Sequence, residues 1–589
     1  MKSLLFTLFL PVLLQAQQVA KPTPTTLAPE VTASLESHPG LVYARYGQRE
    51  MQLDLWKPKT PSQTLPAIIC VHGGGWYKGK RADMANLAQA LAAKGFVTAT
   101  ISYRLSGEAK FPAAIQDCKA AVRFLRANAG KFGINANAIG VTGLSAGGHL
   151  AALLTTSDGV RELEGNGGNG DQSSAVQAGI AMGAQSDLEN ERIRELSARP
   201  NDPFYRTFLG ASLNEIPQTY ALASPRRHLD KSDPPLLFMT GELDDPSTHA
   251  ESMRIDLMGQ GIPTGLILLP QAPHGFLIQQ RPFDLAVNSC AAFFSLHLKQ
   301  HGQPPVECSL PTLFNEQAHW QLIGSGYAGC EGAQWVGDTL HYAAHHDGFA
   351  FKWSEATGFV VWRRDSQEAT SFRPDGAGGF YVVEQTTRQL TRWNAKGERV
   401  DVLADAFEGK KLNRPNDCVV KSDGSVWLTD PDFLFYQRPQ EKKELPGQFV
   451  FRFDPKTKTL TKAAEGFAKP NGIVFSPDEK HLFITDSGTP NVLRFAVHSD
   501  GTLGSRETFA TFAEKGLDGL AFDPLGRLWC CTRAGIRIIG RDGTVLGLIK
   551  TPGKPTSIAF GPEGHLAVTM SDGCFVVLPE RKLPKNGTR

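Results

Sequence analysis

The sequence has 589 residues, of which 41% are hydrophobic and 20% charged, and its 61 Lys and Arg against 59 Asp and Glu leave a formal net charge of +2. This balance argues against nucleic acid as the main partner, and a mean hydropathy of −0.22 excludes a disordered chain and a multispan membrane protein. The length accommodates two large domains.

The N-terminus has the features of an export signal. One cation, Lys2, precedes an apolar run over 4–14, and the small residue Ala16 is followed by polar sequence. The run is shorter than the ~20 apolar residues that a membrane span needs, and no later segment has that length of apolar sequence. We therefore expect a signal peptide over 1–16, a flexible leader rich in Pro and Thr over 17–38, and a secreted or periplasmic protein without an integral membrane span.

The next region alternates strand and helix patterns and is predicted to form a first domain over 39–300. An apolar strand pattern at 65–71 is followed by a helical pattern at 84–95 and by another strand pattern at 96–103. The same alternation continues to about residue 298. It predicts a doubly wound, mostly parallel sheet with helices on both faces.

The sequence Gly-Leu-Ser-Ala-Gly at 143–147 lies between a strand pattern and a helical pattern. A G-x-S-x-G sequence alone matches many ordinary loops. In a strand-to-helix turn, however, it is typical of a nucleophile elbow, because the flanking glycines avoid clashes and leave the Ser145 hydroxyl exposed. We therefore predict a nucleophilic serine here.

A serine nucleophile needs a base and donors for the oxyanion that develops. The glycine loop at 72–76, His-Gly-Gly-Gly-Trp, can point consecutive backbone N–H groups at one position, and the N–H of Ala146 can join them. Downstream, Asp244 and Asp245 follow one strand pattern and His274 follows the next, which gives the chain order Ser, Asp, His. Asp244 is favoured over Asp245 because it lies nearer the predicted strand end.

Two further histidines are expected to be structural. His72 belongs to the glycine loop, and His149 follows Ser145 on the predicted helix. The Gly- and Asn-rich stretch 164–174, together with the helical residues after it, is expected to form a lid over the acyl pocket.

The segments HGGGW, the Tyr-Arg of ISYRL, GLSAGG, GELDD and PHGF resemble those of the α/β-hydrolase superfamily, in particular secreted esterases related to feruloyl and acetyl-xylan esterases and hormone-sensitive-lipase-like carboxylesterases. The continuation DDPSTH departs from that pattern and leaves the choice of acid open. The resemblance implies an esterase domain without a cofactor, with Ser145 as nucleophile, His274 as general base, Asp244 as orienting acid, and Gly74, Gly75 and Ala146 as oxyanion donors.

A Pro-containing linker over 301–318 leads to a region of short, alternating strand patterns. Six aligned apolar positions recur at steps of 40, 46, 56, 46 and 38 residues: Leu340, Phe380, Val426, Leu482, Leu528 and Leu566. Six repeats of a turn and an alternating strand predict an all-β, six-bladed propeller of four-stranded blades over 319–582.

The repeat places four oxygen-bearing residues in phase. Glu331, Asn416, Asn471 and Asp518 lie nine to eleven residues before an aligned position, where the innermost strand of a blade begins. Each could simply turn the chain, as Asx-Gly pairs often do. Four in phase favour a site on the central channel, and their carboxylate and amide oxygens suit Ca²⁺, Mg²⁺ or Mn²⁺ better than Zn²⁺.

The run EGKKLNRPNDCVVKSDGSVWLTDP at 408–431 is similar to bacterial gluconolactonases, and the second region as a whole resembles the gluconolactonase, senescence marker protein and regucalcin family of six-bladed propellers. That resemblance implies Glu331, Asn471 and Asp518 as ligands of a divalent metal, with Asp518 also acting as general base. It implies Arg414 and Asn416 as substrate contacts.

The favoured interpretation is a secreted bifunctional hydrolase. A serine carboxylesterase acting on acetyl or feruloyl esters of carbohydrates would be joined to a metal-dependent sugar lactonase, with small-molecule or oligosaccharide substrates. One alternative is an active esterase carried by a non-catalytic propeller that holds calcium or a sugar. A propeller-associated serine peptidase is less favoured, because in those enzymes the propeller precedes or interrupts the hydrolase.

Overall fold

The computed structural model describes residues 23–60, 63–269, 271–299, 319–325, 327, 329–354, 357–433, 441–551, 553–571 and 573–578. The expected signal peptide (1–16), the start of the leader (17–22) and the expected linker (301–318) lie outside these residues. Within the described ranges, no helix combines the length and apolar character that crossing a bilayer requires.

The described residues of the first domain form one eight-stranded sheet and eleven α-helices. Its strands are β1 (Leu35–Tyr46), β2 (Arg49–Pro58), β3 (Leu65–Val71), β4 (Val97–Ile101), β5 (Ile134–Leu144), β6 (Ala178–Met182), β7 (Leu236–Gly241) and β8 (Thr264–Leu269). Its helices are α1 (Pro29–Ala33), α2 (Ala85–Ala93), α3 (Ala113–Ala127), α4 (Ala129–Phe132), α5 (Ala146–Thr156), α6 (Arg161–Glu164), α7 (Glu191–Ala198), α8 (Tyr205–Leu209), α9 (Pro217–Ala223), α10 (Glu251–Gly259) and α11 (Gln280–Phe294).

The sheet confirms the predicted mostly parallel α/β fold. Its strand order is β1-β2-β4-β3-β5-β6-β7-β8. The strands β3 to β8 pair in parallel, whereas β2 is antiparallel to both of its neighbours, β1 and β4. The central strands are continuously apolar because helices cover both faces: α3 and α5 pack on one, and α2 and α11 on the other. The carboxyl ends of the parallel strands meet at one edge of the sheet, where binding sites of such folds form.

The expectation of a flexible leader over 17–38 is wrong for its described part. Residues 29–33 form α1, β1 already begins at Leu35, and residues 23–26 hydrogen-bond to the segment 277–280. Composition alone indicated a linker, but the backbone of this stretch has a partner about 250 residues away in the chain.

The second domain contains the strands β9 (His319–Ser325), β10 (Cys330–Val336), β11 (Thr339–Ala344), β12 (Phe349–Ser354), β13 (Gly358–Arg364), β14 (Ala369–Pro374), β15 (Phe380–Glu384), β16 (Gln389–Trp393), β17 (Arg399–Ala404), β18 (Ala406–Phe407), β19 (Lys410–Lys411), β20 (Cys418–Val420), β21 (Val426–Asp430), β22 (Phe449–Asp454), β23 (Thr459–Ala464), β24 (Pro470–Phe475), β25 (His481–Asp486), β26 (Asn491–Ala496), β27 (Glu507–Thr511), β28 (Leu520–Phe522), β29 (Leu528–Thr532), β30 (Gly535–Ile539), β31 (Val545–Ile549), β32 (Pro555–Phe560), β33 (Leu566–Met570) and β34 (Gly573–Leu578).

These strands form the predicted six-bladed propeller. Five blades are consecutive four-stranded sheets, starting at β10, β14, β20, β24 and β28, and the sixth is β32-β33-β34-β9. The ring therefore closes by pairing β9, the first strand, with β34, the last. Each of the six aligned apolar positions is the first or second residue of its blade's second strand, so the repeat alignment is confirmed. The innermost strands contact one another in succession around the channel.

The two domains share a hydrophobic cluster. Phe294 and Leu298, at the end of α11, belong to the same buried cluster as Leu322 on β9 and Tyr342 on β11. The hydroxyl of Tyr327 donates a hydrogen bond to the backbone oxygen of Leu268 on β8 at 2.8 Å. The domains are therefore packed against each other through apolar side chains.

Candidate active sites

The predicted nucleophile lies at a strained turn between β5 and α5. Ser145 has φ +60° and ψ −119°, a conformation that costs a non-glycine residue roughly 1–3 kcal/mol. The turn is held because the Ser145 N–H donates to the backbone oxygen of Met182 at 2.7 Å. A side chain at Gly73 would lie 2.8 Å from the oxygen of Leu144, so the glycine loop packs directly on this turn.

His274 and Asp244 form the predicted base and acid pair. His274 follows β8, Asp244 follows β7, and His274 Nδ1 lies 2.8 Å from Asp244 Oδ2. The hydrogen bond from His274 to Asp244 raises the pKa of the imidazole. Burial opposes ionisation of Asp244, but its bonds to His274, the Asp245 N–H and the Thr240 hydroxyl outweigh burial and lower its pKa.

Asp245 has a different environment from Asp244. It is ion-paired with Arg192, and its carboxylate accepts the N–H of Ser247 at 2.9 Å, which caps a short 3₁₀ helix. The structure thus places Asp244, and not Asp245, against His274.

The segment 182–183 brings the nucleophile and the pair together. Met182 accepts the N–H of Ser145, and the next residue, Gly183, has φ +53°. A Cβ atom at Gly183 would lie 3.2 Å from His274 Nδ1 and 3.3 Å from Asp244 Oδ2. Glycine is favoured here because φ is positive and because the side chains of His274 and Asp244 leave little room for a Cβ atom.

The glycine loop and the start of α5 present backbone donors at this site. Gly74 and Gly75 have φ +110° and +60°, so the loop turns sharply after β3. Ala146 is the first residue of α5, where N–H groups lack partners within the helix. Among the described residues, no hydrogen-bond acceptor is recorded for the N–H groups of Gly74, Gly75 and Ala146, which leaves them available to an oxyanion.

The two histidines expected to be structural are both buried. His72 stacks on Tyr103 at 4.3 Å between ring centroids, and its Nδ1 lies 2.8 Å from the backbone oxygen of Gly73. His149 lies between the indole N–H of Trp76 and the oxygen of Ala223, and burial lowers its pKa to about 4. Neither is placed to act as the base.

The stretch 164–174 packs away from the glycine loop, against the expectation of a lid. Glu164 is paired with Lys119 and Arg123 of α3, and a side chain at Gly167 would lie 2.6 Å from the Tyr46 hydroxyl. Tight packing on α3 and β1 accounts for Gly165 and Gly167, whereas Gly170 has open space around it.

The second candidate site lies on the propeller channel. Glu331 is on β10, Asn471 on β24, and Asp518 just before β28, so three innermost strands supply them. Asn471 Nδ2 donates to Asp518 Oδ1 at 3.0 Å. Glu331, Asn416 and Asn471 also line one small cavity in the channel, and this confirms that the phase of the repeat brings these residues together.

The charges on the channel fit a divalent cation. Burial, and then the nearby charge of Asp518, raise the pKa of Glu331 well above its usual range. Burial also raises the pKa of Asp518 to about 6. Two buried carboxylates beside an amide oxygen form a donor set that a hard dication would stabilise. Within the described ranges, no group of three His, Cys, Asp or Glu side chains is placed to hold an ion, so a metal site here would combine the two carboxylates with the amide of Asn471.

Sequence reasoning missed two charged residues of the channel. Lys554 Nζ lies 3.2 Å from Asp518 Oδ2, and Asp417 accepts hydrogen bonds from Ser371 and Arg373 beside the Glu331 cavity. The signal for Lys554 is a Lys-Pro pair that begins the innermost strand of both the fourth and the sixth blade, at 469–470 and 554–555.

Arg414, expected to contact substrate, is fully buried. Its guanidinium pairs with Glu368 at 3.3 Å and with Glu441 at 2.6 Å. Arg414 is not among the residues that line the Glu331 cavity, and its two ion pairs join neighbouring blades of the propeller. Asn416, by contrast, does face the channel cavity.

The comparisons with known proteins divide at the same boundary as the fold. Residues 53–256 match the BD-FAE family, and residues 330–572 match the family described as SMP-30/Gluconolactonase/LRE-like region. A gluconolactonase of Zymomonas mobilis is 30% identical over 273 residues, which cover 42% of this chain and 76% of that protein.

Two further relatives match one half each. Esterase LipC of Mycobacterium tuberculosis is 34% identical over 242 residues, covering 39% of this chain and 58% of the esterase. A 6-deoxy-6-sulfogluconolactonase of Pseudomonas putida is 29% identical over 192 residues, covering 32% of this chain and 62% of that enzyme. The match thus spans less than two thirds of these two relatives. The chain belongs to the SMP-30/gluconolactonase/LRE-like family through its six-bladed propeller, carries a BD-FAE α/β-hydrolase domain before it, and is a hydrolase of ester bonds.

Proposed function

We propose that this protein is an exported bifunctional hydrolase, with a serine carboxylesterase for acyl esters of carbohydrates in its first domain and a metal-dependent sugar lactonase in its propeller. The observation that carries the first activity is the 2.8 Å bond between His274 and Asp244 beside the strained Ser145. Convergence of Glu331, Asn471 and Asp518 on the channel supports the second.

In the esterase, Ser145 Oγ attacks the ester carbonyl carbon while His274 accepts its proton. Asp244 holds the imidazole in the tautomer with the proton on Nδ1 and stabilises the imidazolium that forms. The N–H groups of Gly74, Gly75 and Ala146 donate to the oxyanion. His274 then protonates the leaving alcohol, and a water molecule, deprotonated by His274, releases the acid and restores Ser145.

In the propeller, Glu331, Asn471 and Asp518 would hold a divalent cation, Ca²⁺, Mg²⁺, Mn²⁺ or Zn²⁺. When bound, the cation supplies positive charge that stabilises the oxyanion formed as a lactone ring opens. Asp518 accepts a proton from the attacking water. Asn416 lines the cavity beside the metal ligands and is placed to contact the substrate.

One observation favours the alternative of a non-catalytic propeller. Lys554 already supplies a positive charge to Asp518, so the channel carboxylates are partly balanced without a metal. Between the two forms of this alternative, the charge balance favours a propeller that binds a sugar over one that holds calcium, and either would leave hydrolysis to the esterase domain.

The full chain and two variants separate these proposals. Ser145→Ala is expected to abolish hydrolysis of p-nitrophenyl acetate and of feruloylated or acetylated sugars, and to retain aldonolactone hydrolysis. Asn471→Ala, like a chelator, is expected to abolish lactone hydrolysis and to retain ester hydrolysis. Lactone turnover that survives both Asn471→Ala and chelation would refute metal dependence. If the wild-type protein hydrolyses no lactone with any of the metals added, the non-catalytic propeller is supported instead.

A further inference from the structure

The N-terminal residues 23–28, which we call the strap, lie against the chain segment that follows His274. The N–H of Thr25 donates to the oxygen of Ile278 at 3.1 Å, and the N–H of Gln280 donates to the oxygen of Thr23 at 2.8 Å. Pro24 pairs with Gln279 between them as an antiparallel bridge. The strap thus adds a short extended piece of backbone to the segment 277–280.

Side chains reinforce this pairing. The Thr25 hydroxyl donates to the oxygen of Leu277 at 2.8 Å, and Gln280 Oε1 accepts the N–H of Thr26 at 2.8 Å. Leu27 packs against the hydrophobic cluster of α2 and α11, and α1 follows directly. The strap is therefore anchored along its length and at its C-terminal end.

The strap borders a cavity that begins at the catalytic turn. The cavity has a volume of about 630 Å³ and reaches Gly73 and Gly74 of the glycine loop and Leu144, the residue before Ser145. Its apolar lining residues are Met84, Leu87, Leu277, Ile278 and Phe283, and Lys78, Asp83 and Asn86 add polar groups. Pro24 and Thr25 of the strap complete the wall. This volume is within the range of small-molecule sites and is much larger than an acetyl group requires.

The opposite side of the glycine loop is closed by aromatic rings. A side chain at Gly75 would lie 2.7 Å from the ring of Phe204 and 2.9 Å from the ring of Tyr77. Phe204 precedes α8, which is fixed because Phe208 stacks on Trp76 with 4.5 Å between ring centroids. Phe204 and Tyr77 thus fill the space next to Gly75, whereas the cavity on the side of the strap, beside Gly73, Gly74 and Leu144, is open.

We infer that the strap is a wall of the acyl pocket and sets the size of the acyl group that the esterase accepts, with apolar acyl groups larger than acetyl as the substrate class. This inference rests on the proposed esterase function. The Thr25 hydroxyl is engaged with Leu277, so the strap presents apolar surface from Pro24 and Thr25 to the chain of the acyl group. The strap then selects substrates by the length of their acyl group and not by the identity of their alcohol.

The test compares acyl size at constant leaving group. Full-length protein is assayed with p-nitrophenyl acetate, butanoate and octanoate. Thr25→Leu narrows the cavity and is expected to lower kcat/KM for octanoate relative to acetate by about tenfold or more, whereas Thr25→Gly is expected to raise that ratio. Thr26→Leu, at the neighbouring exposed position outside the lining of the cavity, is the matched control and should keep the wild-type ratio.

The outcomes separate the strap from the esterase itself. A Thr25→Leu protein whose ratio equals that of Thr26→Leu would overturn the inference, as would an effect only in a series of acetates with different alcohols. Thermal unfolding of each variant identifies any that fail to fold. Among the folded variants, Thr25→Gly and Thr25→Leu must shift the octanoate-to-acetate ratio of kcat/KM in opposite directions, and if they do not, the inference is wrong. If the wild type hydrolyses none of these esters, or if Ser145→Ala hydrolyses them all, the proposed esterase function is refuted instead.

Discussion

Replacing Asp244 with Asn is the most discriminating test of the esterase site, because Asp245 beside it provides a matched control. The Asp244 side chain is 5% exposed and lies 2.8 Å from His274, so its negative charge acts on the imidazolium in a poorly solvated setting. Asn has no charge and can stabilise the wrong tautomer of His274. We expect kcat for p-nitrophenyl acetate to fall roughly 10³–10⁴-fold, or about 4–5.5 kcal/mol at about 1.36 kcal/mol per tenfold.

Asp245→Asn should behave differently. The Asp245 side chain is 41% exposed, its ion pair with Arg192 is on the surface, and Asn can still cap Ser247. We expect kcat within about twofold of the wild type and a loss of stability below about 1 kcal/mol. Activity that survives Asp244→Asn but is lost in Asp245→Asn would refute the assignment of the acid.

The pH profile adds a readout that misfolding would not produce. His274 must be neutral to accept a proton, so kcat/KM falls as pH drops through its pKa, which Asp244 raises above the ordinary value of 6.5. In Asp244→Asn the imidazolium loses its partner, the pKa of His274 falls, and the acid limb of the residual activity moves to lower pH. An unchanged acid limb would show that Asp244 does not interact with the general base.

Arg414→Ala removes the cation from between Glu368 and Glu441, so it should destabilise the propeller by about 3 kcal/mol and lower Tm by roughly 6–12 °C. A normal Tm with a raised KM for lactone would instead indicate that Arg414 binds the substrate. Lys554→Ala removes the positive charge 3.2 Å from Asp518, and since this lysine is partly exposed we expect Ca²⁺ affinity to rise only about two- to fivefold by calorimetry. Weaker Ca²⁺ binding by Lys554→Ala would show that the lysine does not compete with the ion.

Most of both candidate sites could be predicted from local sequence. The turn at Ser145 could be predicted because it depends on residues that adjoin it in the chain. The place of His274 could be predicted because it follows a parallel strand, and such strands end at the same edge of the sheet. The channel residues could be placed because a repeat puts equivalent positions on one axis, and this succeeded for Glu331, Asn471 and Asp518.

The features that could not be predicted from the sequence depend on residues that are far apart in the chain. Arg414 occurs in a motif associated with substrate, yet Glu368 and Glu441 enclose it, and neither lies within 25 residues of it in the chain. The strap has the composition of a linker, but Gln280 supplies it with a donor and an acceptor. Hydrophobic periodicity carries no information about such pairings, because each depends on polar groups that only the tertiary fold brings together.

The packing of β8 against β9 has a consequence for how the two domains are held together. β9 belongs to the sixth blade and closes the propeller ring by pairing with β34, so the strand that contacts the first domain is also the strand that closes the ring. Because both domains are on one polypeptide, they always occur in a one-to-one ratio, and dilution does not separate one from the other.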